Sequence, residues 1–351
     1  MKSRVKAVRN VISSHTPRRA GGFSLIELMI AMLLGLIVIA GVTSVFLANM
    51  SSYNTNQALS EVQDGARTAF ELMSRDMRQA GLTGCSEGET VINALNNGTT
   101  LWYADWSNAS GNGGTVNGYD AGTTDAAVTT GTAAGNRLAT SPSLHLMGAS
   151  STTLSLASDD QNAGTFTLNE TTATVPTGTI MMVCSPDHGA IVQITGQAGA
   201  VLHHAVGTTP SPGNCVKGLG APSGCIGNQD NYQTNAMISP LEAADWYLGP
   251  NGAGTGTNSL YRLSPTLDGG GNVITTAPAE IVRNVTEMDI AYLLSGGTSF
   301  VSAATVAGNW GNVTAIQVTL KLESTSQNAG TGSVPITRTF VSTTSLRNRL
   351  Q

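Results

Sequence analysis

From Leu28 to Ala48 the chain carries no charged residue, and leucine, isoleucine, valine, methionine and alanine dominate. As a helix, that stretch would run about 30 Å at ~1.5 Å per residue, the thickness of a bilayer's hydrocarbon core. One carboxylate, Glu27, stands at its leading edge. The pattern then changes. From Ser51 to Ala80 there is no proline, and Ala58, Val62, Ala66, Ala69, Phe70, Met73 and Met77 recur at steps of three or four. That spacing gives one apolar helical face. Glu61, Asp64, Arg67, Glu71, Arg75, Asp76 and Arg78 occupy much of the rest, and Gly81 is a plausible stop. The prediction is one helix from about Ser24 to Ala80, an apolar half followed by an amphipathic half. Gly35, Gly41 and Gly65 weaken it locally by up to ~1 kcal/mol each relative to alanine.

Beyond the helix, residues 82–137 read as loop-rich. Their aromatic cluster, Leu101-Trp102-Tyr103-Ala104-Asp105-Trp106, is read as a small buried anchor for a loop rather than a ligand-stacking patch. Alternation of period two marks strands at 152–156, 164–168, 180–183 and 190–194. The clearest alternation is Asn312–Leu322, with Ile316, Val318, Leu320 and Leu322 on one face and Gln317, Thr319 and Lys321 on the other. A polar loop at 324–333 then leads to an antiparallel partner at 336–344.

Composition agrees with this picture. Only 11% of the residues are charged and 5% aromatic, and glycine, threonine and serine are abundant. Such a chain reads as extracytoplasmic β structure with long loops, built as one large domain or two small ones. Charge is unevenly placed. The first 22 residues hold Lys2, Arg4, Lys6, Arg9, Arg18 and Arg19 and no acid, which puts that flank on the cytoplasmic side of a membrane. The chain has 17 basic and 22 acidic side chains, so losing those six would leave 11 against 22. A general nucleic-acid binder needs a basic surface, and the remaining chain is acidic.

The segment Gly22-Phe23-Ser24-Leu25-Ile26-Glu27 resembles the processing site of type IV pilins and type II secretion pseudopilins. The resemblance implies that a prepilin peptidase cuts between Gly22 and Phe23, that the new amino group of Phe23 is methylated, and that the apolar helix stays on the protein. A signal peptidase would instead act after the apolar run. The implied organisation is a basic leader (1–22), a membrane and filament-core helix (23–50), its amphipathic continuation (51–81) and a periplasmic β-rich domain (82–351). The fold class is α+β, with the long helix packed on an antiparallel sheet with large loops. The segment 280–290, the Ile316 strand and the ending Ser345-Leu346-Arg347-Asn348 are similar to the PilW-like group of minor pilins.

Cys85, Cys184, Cys215 and Cys225 form an even set, which in an oxidising periplasm favours disulfides. Of the three pairings, Cys215–Cys225 closes a Gly/Pro-rich loop and is favoured, leaving Cys85–Cys184. Zinc is disfavoured at these cysteines because no Cys-x-x-Cys pair exists and the histidines are scattered. Cys184-Ser185-Pro186-Asp187-His188 brings nucleophile, acid and base types together, but a triad is a matter of geometry, and a Pro-Asp turn beside a disulfide explains the stretch. Gly-x-Ser-x-Gly, His-Glu-x-x-His and phosphate-loop motifs are all missing from the sequence. His203-His204 reads as alternating in and out of a strand, and Asp159-Asp160 as a solvated turn.

The expectation is therefore a structural protein without enzymatic activity, metal or cofactor. It would be held in the inner membrane by one helix and assembled with major and minor pilins, with a tip adhesin as a further partner. An acid in the membrane is costly, so Glu27 needs a counter-charge, and the Phe23 ammonium of its own or an adjacent subunit supplies one. A J-like type II secretion pseudopilin shares all the amino-terminal features. A pilus-borne adhesin using Trp102, Trp106, Trp246 or Trp310 is a further reading.

Overall fold

The computed structural model describes residues 22–83, 90–108, 114–222, 224–254, 257–276, 278–330, 332 and 334–346. One helix, α1, runs over Leu25–Gln79 and belongs to two compact units, Met1–Asn54 and Thr55–Gln351. In the first unit every described residue is exposed, including the whole apolar run.

In the second unit, α1 buries Ala58, Val62, Ala66, Ala69, Met73 and Met77, the face set out by the three-and-four spacing. Each methionine so buried contributes about 1.5–3 kcal/mol. Small residues let the helix lie close to its neighbours. A Cβ on Gly65 would stand 3.1 Å from Leu322 Cδ2 and 3.2 Å from Val282 Cγ1, so the residue that weakens the helix also lets it seat. At the other end Gly81, at φ 75°, turns the chain out of the helix, and its N–H donates to the Met147 carbonyl at 2.9 Å.

The strands follow in order. The first group is β1 (Thr90–Asn93), β2 (Val116–Tyr119), β3 (Ser143–Ala149), β4 (Leu154–Asp160) and β5 (Thr165–Leu168). Then come β6 (Ile180–Cys184), β7 (His188–Gln193), β8 (Gly196–Ala198), β9 (Val201–His203) and β10 (Met237–Pro250). The remainder are β11 (Asn258–Leu263), β12 (Thr266–Leu267), β13 (Val273–Ile274), β14 (Ala279–Arg283), β15 (Val285–Leu294), β16 (Val313–Glu323) and β17 (Thr337–Ser345), with a short helix α2 (Ala303–Val306) before β16. Pairing is antiparallel throughout the described ladders except between β1 and β7.

The largest sheet is organised on β10. Its first residues pair with β4 and β6, its middle with β3 and its end with β11. Pro240 sits at the handover, where pairing with β6 ends at Met181 and pairing with β3 begins at Leu241–Ala149. A residue with no N–H costs least where one ladder stops and another starts. The sequence reading left β10 unassigned, as it did β3 and β11. Pro240, Glu242 and Asp245 break its apolar pattern, and a strand buried on both faces has no alternation to reveal it. The β15–β16–β17 sheet, in contrast, follows the expected pattern. Ile316, Val318, Leu320 and Leu322 are buried beside Val62, Ala66 and Met73, and β17 runs antiparallel to β16. The α+β class expected from the sequence is the one observed.

Candidate functional site

At the amino end of α1, Ser24 is the residue preceding the first helical position, and Glu27 lies three residues on. The Ser24 N–H donates to Glu27 Oε2 at 2.9 Å, and the Ser24 hydroxyl donates to the same oxygen at 3.1 Å. The Glu27 N–H donates back to Ser24 Oγ at 3.3 Å, and Leu28 N–H reaches the Ser24 carbonyl at 3.2 Å to open the helical ladder. This reciprocal arrangement is a capping box, and a negative charge there also faces the positive end of the helix dipole. The Ser-x-x-Glu spacing was legible in the sequence and went unread. The box uses no atom before Ser24, so it does not depend on residues 1–22. Both side-chain bonds fall on Oε2; among the described residues Oε1 takes none.

The apolar residues around and beyond the box are exposed. Phe23 is 88% exposed, and Leu25, Met29, Leu33, Leu36 and Ile39 are each more than half exposed. Alone in water such a surface would cost heavily, at ~25 cal/mol per Å², so its surroundings are lipid or other apolar helices. α1 is long and apolar enough to cross a membrane.

Within the second unit, the polar face of α1 is tied to the sheet at Asp76. Its Oδ2 accepts from Arg262 Nε at 2.7 Å and Trp246 Nε1 at 2.9 Å, and its Oδ1 accepts from Arg262 Nη2 at 3.3 Å. Spacing alone did not mark this residue, because Arg262 and Trp246 lie far along the chain.

Cys215 and Cys225 are joined, with Cα atoms 5.4 Å apart, and close a loop in the connection between β9 and β10. Cys184, at the end of β6, is disulfide-bonded and so offers no thiolate to the neighbouring Asp187 and His188. Cys85, its expected partner, lies outside the described residues, as do Arg347 and Asn348 of the carboxyl-terminal segment.

Other candidates are placed as follows. Trp102, Trp246 and Trp310 are buried and Trp106 is half-buried, so the tryptophans proposed for an adhesin form no stacking surface. His203 is half-buried at the end of β9, whereas His204 is fully buried against Phe166, with ring centroids 4.4 Å apart. Burial lowers the His204 pKa to about 4. Asp159 is not in a solvated turn. It sits near the end of β4, and its Oδ2 accepts from Tyr232 N–H at 3.0 Å and from the Gln161 amide at 2.9 Å. Burial raises its pKa.

A second polar group lies inside the sheet. Asp245 is fully buried on β10 beside Asp125, and Asp125 accepts a hydrogen bond from the Ser143 hydroxyl. The buried Arg137 guanidinium donates to the carbonyls of Ser141, Thr123 and Asp120. Burial, then the Asp125 charge, pushes the Asp245 carboxyl well above the usual carboxylate range.

Residues 17–43 match the prokaryotic N-terminal methylation motif. No curated protein and no solved structure matches the chain. The motif and the exposed apolar helix support a pilin-like protein, either a type IV pilin or a pseudopilin, associated with the membrane and assembling with other pilins.

Proposed function

We propose that the protein is a structural minor pilin of a type IV pilus, cut by prepilin peptidase between Gly22 and Phe23 and methylated on Phe23. It waits in the inner membrane with its carboxyl-terminal domain in the periplasm, then enters the filament near the tip and primes assembly. The observation that carries this reading is the helix start capped at Ser24, two residues after Gly22 and within the methylation motif, followed by an apolar helical run. The capping box would survive the cut, since Ser24 keeps its own N–H. Glu27 Oε1 would then be open to a Phe23 ammonium, its own or a neighbour's. The size of the β domain, with the resemblance to minor pilins, supports a low-abundance subunit over a repeated shaft pilin.

Amino-terminal mass analysis of the membrane-extracted protein tests the processing step. The expected result is a chain beginning at methylated Phe23; a start after Ala48 would overturn the reading. Co-purification of the full chain in detergent with the other minor pilins of the same cell tests the assembly role. A J-like pseudopilin is the second reading, favoured by the same motif. Recovery with secretion-system pseudopilins and absence from sheared pili would decide for it.

A further inference from the structure

The turn between β6 and β7 and the connection between β9 and β10 bring three potential metal-binding side chains together. His188, at the start of β7, has a buried ring, its side chain only 8% exposed. Its Nδ1 faces outward to two solvent-accessible carboxylates. Asp187 Oδ1 lies 3.0 Å away and Asp230 Oδ2 3.7 Å away, with side chains 77% and 55% exposed. One ligand atom from each residue lies within 4.8 Å of the other two.

We propose that Asp187, His188 and Asp230 bind a divalent transition-metal ion of the zinc class, one nitrogen and two oxygen ligands with a remaining position open to water.

The two separations from His188 Nδ1 fit such an ion. Zinc–nitrogen and zinc–oxygen bonds of ~2.0–2.2 Å in a tetrahedron place neighbouring ligand atoms about 3.3 Å apart, and 3.0 and 3.7 Å bracket that value. The donor set selects the metal class. Calcium and magnesium take oxygen ligands almost alone, whereas imidazole with carboxylates suits zinc and its neighbours.

A plain ion pair accounts for less of what is seen. A neutral imidazole donates Nδ1–H to one carboxylate, and at 3.7 Å the Asp230 oxygen is beyond that bond. Asp159 is not one of the ligands: its Oδ2 is held by the Tyr232 N–H and the Gln161 amide. Among the described residues no lysine or arginine pairs with Asp159, Asp187 or Asp230. Two carboxylates thus face one buried imidazole with no described lysine or arginine to offset them, and a doubly charged cation balances the pair. The His188 ring is held in place by contact with Tyr232, at 4.6 Å between centroids. A bound ion would join the β6–β7 turn to the connection that also carries the Cys215–Cys225 disulfide.

The test uses the untagged full chain in detergent, stripped with chelator and titrated with zinc chloride by calorimetry, with cobalt(II) absorption as a second reading. One equivalent of zinc per chain is expected, with a cobalt spectrum of mixed nitrogen and oxygen ligation. Asp187→Asn and Asp230→Asn, both exposed and therefore tolerable to the fold, should each weaken zinc at least about tenfold. His203→Gln and Asp160→Asn should leave it unchanged. Absence of stoichiometric zinc, zinc binding equal in wild type and both asparagine variants, or preference for calcium would overturn the proposal. Its failure leaves the pilin reading untouched, because that reading rests on residues 17–43.

Discussion

Arg262 on β11 holds Asp76 of the long helix by two nitrogens, at 2.7 and 3.3 Å, and Trp246 Nε1 donates to the same carboxylate at 2.9 Å. The Asp76 side chain is 10% exposed and that of Arg262 28%. A buried charge whose partner is removed costs more than the pair contributes, because the remaining ion keeps its desolvation penalty. Asp76→Ala should therefore lower stability by about 3 kcal/mol. Asp76→Asn, which keeps an acceptor for Trp246, should cost less. Urea denaturation of the full chain in detergent measures both. A change within about 0.5 kcal/mol for Asp76→Ala, the range of an ordinary surface substitution, would deny the tie any weight.

The Cys215–Cys225 bond spans ten positions. In the chain-entropy account a loop of that size contributes about 2–3 kcal/mol by restricting the unfolded chain. The double variant Cys215→Ser, Cys225→Ser should melt lower by that amount, with the protein still folded. Non-reducing peptide mapping of the wild type should recover both this pair and Cys85 linked to Cys184. A different pairing in the map, or free thiols in periplasmic protein, would rule out the proposed connectivity.

Buried histidines and the buried Asp245 should pull stability in opposite directions as pH changes. His145 and His204 are buried, and burial lowers each pKa from about 6.5 to about 4. The unfolded chain protonates these rings first, so their contribution is present above about pH 6.5 and is lost progressively down to about pH 4. The full effect is about 3 kcal/mol for each ring. Asp245 works in the opposite sense. Its folded pKa is raised, so its contribution is complete below the ordinary carboxylate range and is lost as pH climbs through the raised value. The groups that bear on it are Asp125, Arg137, Tyr119, Tyr247 and Tyr292. Thermal melts across pH should find that His145→Gln loses less stability as pH falls from about 6.5 to about 4, and that Asp245→Asn loses less as pH rises from the ordinary carboxylate range. Profiles parallel to wild type in both variants would refute the assignment.

Local periodicity made much of this legible beforehand. The buried face of α1 from Ala58 to Met77 follows a 3.6-residue repeat, and the inward face of β16 follows a repeat of two. Both signals come from elements with one wet and one dry side. β10 has no wet side over much of its length, and its Pro240 and Asp245 are explained only by strands from elsewhere in the chain. The Asp76–Arg262 tie and the meeting of His188 with Asp230 depend on the same long-range pairing. No spacing rule reaches residues that far apart. Ser24 and Glu27 are the contrary case, three residues apart and fully readable as a helix start.

That helix start separates two roles of Glu27. As a capping partner the side chain needs only an acceptor for the Ser24 N–H, and glutamine supplies one. As the proposed counter-charge to a Phe23 ammonium, it needs the negative charge itself. Glu27→Gln should therefore keep the helix start and the cut after Gly22, yet enter pili less. Ser24→Ala does the reverse. It removes the hydroxyl at a cost of about 0.5–2 kcal/mol to the helix end while leaving the carboxylate, and should assemble closer to wild type. Glu27→Ala loses both and should assemble least, although removal of a carboxylate eases its stay in the membrane. The measurement is the ratio of each variant in sheared pili to that in membranes, by immunoblot, with the mature amino terminus checked by mass. Reduced entry of Glu27→Gln beside near-normal entry of Ser24→Ala is the expected order. The reverse order would make Glu27 a capping residue alone, and equal entry of all three would leave the first turn without a part in assembly.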